Sequence, residues 1–345
     1  MVIKKQIKNK FFKNKKNIRL DIFLNECLFK KNGYYYNKKA IGKHGDFITA
    51  PEISQMFGEI IGLYLFYIWK VKINTKFNFI ELGPGNGTLF KDIAKSVSRY
   101  PQFLKKAKIT FIEINHELIN IQKKNIKNLE CGNINWRKSI DFKSKIPSII
   151  YSNEFFDCFP VRQFIFKKVW FEKYVSFNNQ YNYFFMNERL VKNRELLSFL
   201  NLHKKEKILE ISFERNKYFE KICKYIKNNG GIFLTVDYGY LKNIRNFTLQ
   251  SIQNHKFSNV LENIGAQDIT SHVNFNDFLI IAQKHKLKIE EFSTQREFLI
   301  KYGILQRGIK LSNSKNKKKI GLELDRLINK KEMGSLFKFL VITNL

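Results

Sequence analysis

A glycine-rich turn at residues 81–88, Glu-Leu-Gly-Pro-Gly-Asn-Gly-Thr, is the feature that most constrains the fold. It follows an apolar, strand-like run and leads into a helical pattern. Glycines at positions 83, 85 and 87 let the backbone turn tightly, and the next helix offers free N–H groups and a positive dipole end to an anion. A dinucleotide-binding loop needs G-x-G-x-x-G, whereas position 88 is Thr. The turn therefore predicts a different anion site, with a purely structural turn as the alternative.

Short β-rich runs alternate with longer helical segments, a pattern that predicts an α/β fold with a mostly parallel sheet covered by helices. The strand candidates are Phe77–Leu82, Lys108–Ile114, Ile134–Trp136, Ser148–Ser152, Gly231–Val236, Lys288–Ser293 and Leu336–Thr343. This series resembles the Rossmann-like, seven-stranded sheet of class I methyltransferases. In that sheet the last two strands form an antiparallel pair.

With 345 residues, of which 44% are hydrophobic, the chain can bury a sizeable core, and we expect one catalytic domain with insertions. Loops at the carboxyl ends of parallel strands usually bind the substrate, so we expect the insertions 160–208 and 241–274 to form the substrate lobe. The predicted segments are a helical N-terminal segment with a covering loop (1–75), core (76–159), insertion (160–208), core (209–240), insertion (241–274) and core (275–345) with a helical insertion (297–331).

Composition excludes several classes of protein. The longest apolar run, Ile60–Trp69, has ten residues, about half of the roughly 20 that cross a bilayer. The four cysteines are far apart and form no C-x-x-C pair, which argues against a zinc site or disulfides and favours a reducing compartment. The basic N-terminus lacks a secretory signal pattern. We therefore favour a bacterial cytoplasmic location, with the mitochondrial matrix as the alternative.

The net charge of +32 would ordinarily suggest a nucleic-acid partner. The excess consists of 51 Lys against 11 Arg, spread along the whole chain. Asn, Ile, Phe and Tyr are also abundant, and these residues share A/T-rich codons with Lys. Genome composition is therefore a competing cause of the charge, and a nucleic-acid partner is not favoured.

An acid, Glu113, ends the second strand candidate 26 residues after Gly87. A carboxylate there can accept hydrogen bonds from both ribose hydroxyls of a nucleoside, although a lone Glu at a strand end is usually solvated. Together the two features resemble the S-adenosyl-L-methionine (SAM) site of class I methyltransferases, whose helix end faces the methionyl carboxylate. The resemblance implies SAM as co-substrate, no metal, and as binding residues Glu81, Gly83, Pro84, Gly85, Asn86, Gly87, Thr88 and Glu113.

The stretch Asn153–Phe164 follows the fourth strand candidate, where class I side chains face the methyl acceptor. Glu154 and Asp157 could clamp a guanidinium through charge-assisted hydrogen bonds. The alternative is a capping or salt-bridge role, for example with Arg162. Asn153 is a further catalytic candidate, and Phe155 and Phe156 are candidates on the substrate side. The run 153–156 distantly resembles the Asn-Pro-Pro-Tyr/Phe signature of nucleic-acid amino-methyltransferases, but both prolines are missing.

A longer resemblance begins with Gly45–Glu59, which is similar to the hallmark of the MidA-like family, a group that includes a mitochondrial complex I assembly factor. The matching motifs occur in the same order as in the family and span residues 33–340. Beyond the glycine turn and Asn153–Phe164, they are Asp237–Gly239, Asp268–Val273, Thr294–Gln295 and Met333–Lys338.

This resemblance implies that the chain methylates an arginine of a protein partner, the 49 kDa-type core subunit of complex I, during assembly. It also implies that Gly45–Glu59 closes over SAM, which adds Thr49 and Glu52 to the binding residues. Three positions depart from the family pattern: Asn274 replaces Asp, Arg296 replaces Gly and Ile264 replaces Pro.

Three further candidates lie in the family motifs. His272 could help to deprotonate the acceptor or could be a structural histidine. Asp237 and Tyr238 could line the cleft or cap the sheet edge. The sequence leaves open a small-molecule or nucleic-acid methyltransferase and a non-catalytic SAM-binding assembly factor. It also leaves open the oligomeric state and the number of methyl groups added.

Overall fold

The structure is a computed structural model, and it describes residues 2–13, 17–37, 48–140, 144–242 and 244–345. Within these ranges the strands are β1 (Asn17–Arg19), β2 (Phe77–Leu82), β3 (Ala107–Ile112), β4 (Ile134–Arg137), β5 (Ser148–Asn153), β6 (Arg162–Phe166), β7 (Trp170–Asn178), β8 (Tyr183–Leu190), β9 (Ile208–Ile211), β10 (Gly231–Tyr240), β11 (Gln250–Gln253), β12 (Lys256–Ser258), β13 (Asp268–Thr270), β14 (Val273–Asn274), β15 (Lys288–Thr294) and β16 (Phe337–Thr343).

The helices in the same ranges are α1 (Val2–Phe11), α2 (Leu20–Phe29), α3 (Tyr34–Asn37), α4 (Ala50–Ile53), α5 (Gln55–Ile68), α6 (Thr88–Ser96), α7 (Pro101–Lys106), α8 (His116–Ile126), α9 (Arg194–Asn201), α10 (Phe213–Asn229), α11 (Phe275–Lys284), α12 (Gln295–Lys301), α13 (Ile304–Leu311), α14 (Lys317–Ile328) and α15 (Met333–Leu336). A π-helical turn, Trp69–Ile73, extends α5. No helix of the described chain is long and apolar enough to span a membrane.

The central sheet has the strand order β15-β16-β10-β5-β2-β3-β4, and the short β14 adds to β10. Strands β2, β3, β4, β5 and β10 are parallel, while β16 runs antiparallel to both β10 and β15. This arrangement confirms the predicted Rossmann-like class and the antiparallel last pair. Each predicted run forms a strand of this sheet. Strand β3 ends two residues earlier than expected, so that Glu113 lies just beyond it.

The sheet is covered on both faces, as parallel strands require. All six residues of β2 are buried. Because side chains alternate along a strand, Phe79 packs in the cluster that includes α5 and α6, whereas Ile80 packs in the cluster that includes α10 and α11. Strand β2 therefore lies in the middle of a three-layer core, and its carboxyl end carries the glycine turn.

Helix α5 lies unusually close to α6. A Cβ atom at Gly62 would lie 2.9 Å from the Cα of Ile93, so only glycine allows this approach. Glu59, on the same helix, pairs with Arg307 of α13 through two contacts of 2.7 Å. Helix α5 contains the end of the segment predicted to cover SAM, Gly45–Glu59. These contacts hold α5 next to α6, the helix that follows the glycine turn.

The inserted segments and the N-terminal segment form two further sheets that were not predicted. Strands β6, β7, β8 and β9 join β1 in a five-stranded sheet, and β11, β12 and β13 form a three-stranded one; every pairing is antiparallel. Helices α1 and α2 pack on this side through a separate apolar cluster. Helices α12, α13 and α14 occupy the segment predicted as a helical insertion. The role of residues 160–208 and 241–274 as a substrate lobe stays a prediction.

Candidate active site

The glycine turn has the backbone geometry of an anion cradle. Gly83, Gly85 and Gly87 have φ angles of +61°, +55° and +78°, which favour glycine because it has no Cβ. Helix α6 begins at Thr88, directly after the turn. The first N–H groups of a helix have no intrahelical partner, so they and the dipole favour a bound carboxylate or phosphate here.

Glu113 is fixed beside this turn. Its Oε1 accepts hydrogen bonds from the backbone N–H groups of Ile114 and Asn115, at 2.8 and 2.9 Å, and its Oε2 accepts one from Gln122 Nε2 at 3.1 Å. Burial raises the pKa of Glu113. A carboxylate has about four acceptor positions. With three in use, Glu113 still has acceptor capacity for a ribose hydroxyl.

Gln122 connects Glu113 to the glycine turn, a role that sequence analysis missed. The same Nε2 also donates to the Gly85 carbonyl at 2.8 Å, while Trp136 Nε1 donates to Gln122 Oε1 at 2.8 Å. The partners of a glutamine within an ordinary amphipathic helix are visible only when the helix is placed on the sheet. Gln122 therefore holds both predicted binding elements in one fixed arrangement.

The segment predicted to cover SAM contacts the glycine turn through Glu52. Its Oε1 accepts hydrogen bonds from Thr88 Oγ1 at 2.6 Å and from Asn86 Nδ2 at 3.3 Å. Thr49 occupies the N-cap position of α4 without a capping hydrogen bond from its side chain, and the N–H of Ala50 donates to Glu154 Oε1 at 3.4 Å. The segment thus contacts both the glycine turn and Asn153–Phe164, the predicted acceptor loop. Residues 45–47, the start of the predicted segment, lie outside the described residues.

These elements enclose a cavity of about 330 Å³. Thirteen of the predicted site residues line it: Thr49, Glu52, Glu81, Gly83, Pro84, Gly85, Asn86, Thr88, Glu113, Asn153, Glu154, Phe155 and Asp157. Its wall also includes Asn25, Phe29, Tyr35, Lys138, Cys158, Phe159, Glu214 and Tyr218. Two groups of residues distant in sequence, the glycine turn and the acceptor loop, therefore face one space.

Glu81 is a buried wall residue. Burial raises its pKa to about 8, and the Tyr151 hydroxyl donates to its Oε2 at 2.9 Å. At neutral pH this carboxyl is largely protonated. It therefore acts as a neutral hydrogen-bonding group rather than as a fixed negative charge.

Glu154 is held in a strained conformation at the acceptor end. Its φ is +49°, which is unfavourable for a residue other than glycine and is often found at functional sites. Burial, followed by the charge of Asp157, raises its pKa to about 8. Asn153 Nδ2 donates to Glu154 Oε1 at 3.1 Å, while the buried Asn153 Oδ1 has no hydrogen-bond partner within the described chain. This oxygen is shielded from solvent, so it is a buried polar atom beside Glu154 rather than an exposed part of the cavity wall.

Asp157 is supported by the two candidates from β10. The Tyr238 hydroxyl donates to Asp157 Oδ2 at 2.6 Å. Asp237 Oδ2 accepts the backbone N–H groups of Phe156 and Asp157, at 2.9 and 3.3 Å. Burial raises the pKa of both Asp157 and Asp237. Asp237 and Tyr238 hold the acceptor loop from behind and do not line the cavity.

Three other candidates also lie outside the cavity wall. Phe156 is fully buried in the core beside α10 and α11, because this position of the loop points into the apolar layer. The His272 ring packs edge-on against Tyr238 at 5.4 Å, and burial lowers its pKa. Gly87 caps α6 without lining the cavity.

Arg162 does not form the salt bridge with Glu154 or Asp157 that was the alternative interpretation of these carboxylates. Arg162 pairs instead with Glu172 through contacts of 2.6 and 2.7 Å. The buried cation near the loop is Arg215, which sequence analysis missed. It donates to the carbonyls of Phe156 and His272 at 2.7 and 3.0 Å, and so ties the loop to the Asp268–Val273 motif.

A sheet of this order, a G-x-G-x-G turn before α6 and an acid after β3 together define a class I SAM-dependent methyltransferase. Methionyl carboxylate and ribose fit the donors and acceptors just described. Among the described residues, no group of three or more His, Cys, Asp or Glu side chains could hold a metal ion.

Comparison with known proteins gives the family. Residues 60–293 match the model of a family described as S-adenosyl-L-methionine-dependent methyltransferases, and the chain belongs to it. It is 30% identical to protein arginine methyltransferase NDUFAF7, mitochondrial, of Danio rerio, over 90% of this chain and 80% of that protein. The human protein of that name is 28% identical, over 90% and 76%.

A solved structure shares the fold. It is a COG1565 superfamily member from Burkholderia thailandensis bound to S-adenosyl-homocysteine, with a TM-score of 0.87 and 19% identity, covering 99% of this chain and 92% of that one. The chain is therefore a SAM-dependent methyltransferase, and SAM is its co-substrate. The predicted family and cofactor are confirmed.

Proposed function

We propose that this enzyme methylates an arginine side chain of a protein partner. The observation that carries the proposal is the acceptor end of the cavity, where the carboxyl groups of Glu154 and Asp157 form part of the wall. Guanidinium is a planar group with five N–H donors, and carboxylates bind it in a forked geometry. The relatives named above are protein arginine methyltransferases, which supports the same acceptor.

An arginine acceptor poses a chemical difficulty, because its pKa lies above about 12 and a protonated nitrogen has no free lone pair. In their ionised form, Glu154 and Asp157 orient the guanidinium, and one of these carboxylates takes the proton of the attacking nitrogen as the new nitrogen–carbon bond forms. The carbon–sulfur bond of SAM breaks at the same time, and S-adenosyl-homocysteine leaves. Positioning of this kind supplies roughly 7 to 11 kcal/mol of the barrier reduction. SAM contributes the electrophilic methyl group.

The resemblance to MidA-like proteins implies the partner, the 49 kDa-type subunit of complex I, and methylation during its assembly. The relatives are named as mitochondrial. For this chain we propose a reducing compartment, the bacterial cytoplasm first and the mitochondrial matrix second.

The test is incubation of the enzyme with labelled SAM and a lysate of cells that lack it, followed by mass mapping of the modified site. We expect label on an arginine of one protein. Label on RNA, DNA or a metabolite would overturn the protein substrate and favour the competing classes of methyltransferase.

Glu154→Gln and Asp157→Asn test the assigned residues. Each should abolish labelling while SAM affinity stays within a few-fold of the wild type. Glu195→Gln, on the exposed first turn of α9, is the matched control and should label normally. If either cavity variant loses SAM binding, the pair is structural and the proposed clamp is wrong.

A further inference from the structure

Tyr35 brings an aromatic ring to the acceptor end of the cavity. It lines the cavity together with Glu154 and Asp157, and its hydroxyl donates a hydrogen bond to Asp268. Burial, followed by the charges of Asp268, Cys158 and Asp157, raises its pKa. Tyr35 belongs to the N-terminal segment and contributes nothing to the glycine turn.

The ring is held from several sides. Phe29, which also lines the cavity, stacks on it with a centroid distance of 5.4 Å and an interplanar angle of 24°. Tyr34 meets it edge to face at 5.2 Å and 83°. Together with the hydrogen bond from the hydroxyl to Asp268, these contacts hold the ring in place. An aromatic surface that is already ordered loses little entropy when a flat group lies against it.

We propose that Tyr35 determines the acceptor specificity of the enzyme by stacking on a planar guanidinium while the neighbouring carboxylates bind its nitrogens. The inference rests on the proposed function. Arginine is planar, weakly hydrated and stacks on aromatic faces, whereas the lysine ammonium is a compact, strongly hydrated charge. The ring therefore favours arginine over lysine, although both are cations that Glu154 and Asp157 would attract.

The test uses two small probes, acetyl-arginine methylamide and acetyl-lysine methylamide, with the full chain saturated by S-adenosyl-homocysteine. Binding is measured by ligand-observed NMR titration. The wild type should prefer the arginine amide. Tyr35→Leu should lower the arginine-to-lysine preference by between about 2-fold and 30-fold, the range of a single cation–π contact. Tyr35→Phe keeps the ring and should keep most of the preference.

Two controls make the result interpretable. Tyr183→Leu changes a half-exposed tyrosine on β8, outside the cavity, and should leave the preference unchanged. Affinity for S-adenosyl-homocysteine should stay within a few-fold in every variant. If Tyr35→Leu does not fold, Phe29→Leu replaces it, because it removes the ring that stacks on Tyr35 and should weaken the preference in the same direction.

The outcomes separate the two proposals. An unchanged preference in folded Tyr35→Leu, or in Phe29→Leu where that variant stands in, overturns the role of Tyr35 and leaves arginine methylation intact. A wild type that binds both amides equally overturns the arginine acceptor, and the role of Tyr35 with it.

Discussion

If Glu154 binds the guanidinium as proposed, the affinity for the acceptor should depend on pH. The pKa of Glu154 in the free enzyme is about 8, so this carboxyl is mostly protonated at neutral pH and must lose that proton to pair with a guanidinium. Affinity for acetyl-arginine methylamide should therefore rise with pH from 6.5, by up to about tenfold per unit, and level off above 8. Titrations of the S-adenosyl-homocysteine complex at fixed ionic strength measure this. Glu154→Gln should bind more weakly, with a shallower rise because Asp157, whose pKa is also raised, remains; a flat profile in the wild type would refute the coupling.

Glu81 should make the free energy of unfolding fall as pH rises, whereas a carboxylate in an ion pair makes it rise. Its folded pKa of about 8 lies above the usual value of 4.5, so between these values the folded chain holds a proton that the unfolded chain has released. Stability is thus lost as pH rises through that window, and the loss is complete above about 8. The neutral Glu81→Gln escapes this. Its melting temperature relative to the wild type should climb from pH 5 to pH 8, and a constant difference would contradict the assignment.

At the scale of elements, local signals were sufficient for the central sheet and the glycine turn. Strand β2 is a continuous apolar run, and the turn is defined by its own glycines. The same reasoning missed Tyr35, Gln122 and Arg215, since their roles depend on partners that only the fold supplies. Tyr35 and Asp268, for example, are 233 positions apart. The five-stranded sheet was missed for the same reason, because β1 pairs with the distant β7.

We predict that the contact between α5 and α6 positions the beginning of α6, which is the proposed binding site of the methionyl carboxylate of SAM. In Gly62→Ala the new Cβ would lie 2.9 Å from the Ile93 Cα, so the helices must separate. We expect a stability loss of about 1 to 3 kcal/mol, as for other overpacked sites, together with weaker SAM binding. Gly321→Ala on α14 is the control, since its Cβ meets open space. Urea denaturation and calorimetric SAM titration measure both effects, and SAM affinity unchanged by Gly62→Ala would show that α6 is positioned by other contacts.

At the scale of the whole molecule, the sign of the overall charge differs from that of the acceptor site. The chain carries a net charge of +32, yet Glu154 and Asp157 line the acceptor end of the cavity, and Asp237 contacts the same loop from behind. Diffuse lysines attract any polyanion over a distance, whereas buried carboxyls select a cation at contact. Salt should therefore weaken the non-specific binding of polyanions much more than it weakens binding of the acceptor in the cavity.

Duplex DNA distinguishes these two effects. It should bind the enzyme at 50 mM salt and lose most of its affinity by 200 mM, by about 10³-fold or more if six or more phosphates are neutralised. Even when bound, DNA should not displace acetyl-arginine methylamide from the S-adenosyl-homocysteine complex, because phosphates cannot occupy a site lined by carboxyls. Filter binding at several salt concentrations measures the first effect, and NMR competition measures the second. Competition that persists at 200 mM salt would mean that nucleic acid enters the acceptor site, so that the lysines serve substrate binding rather than reflect genome composition.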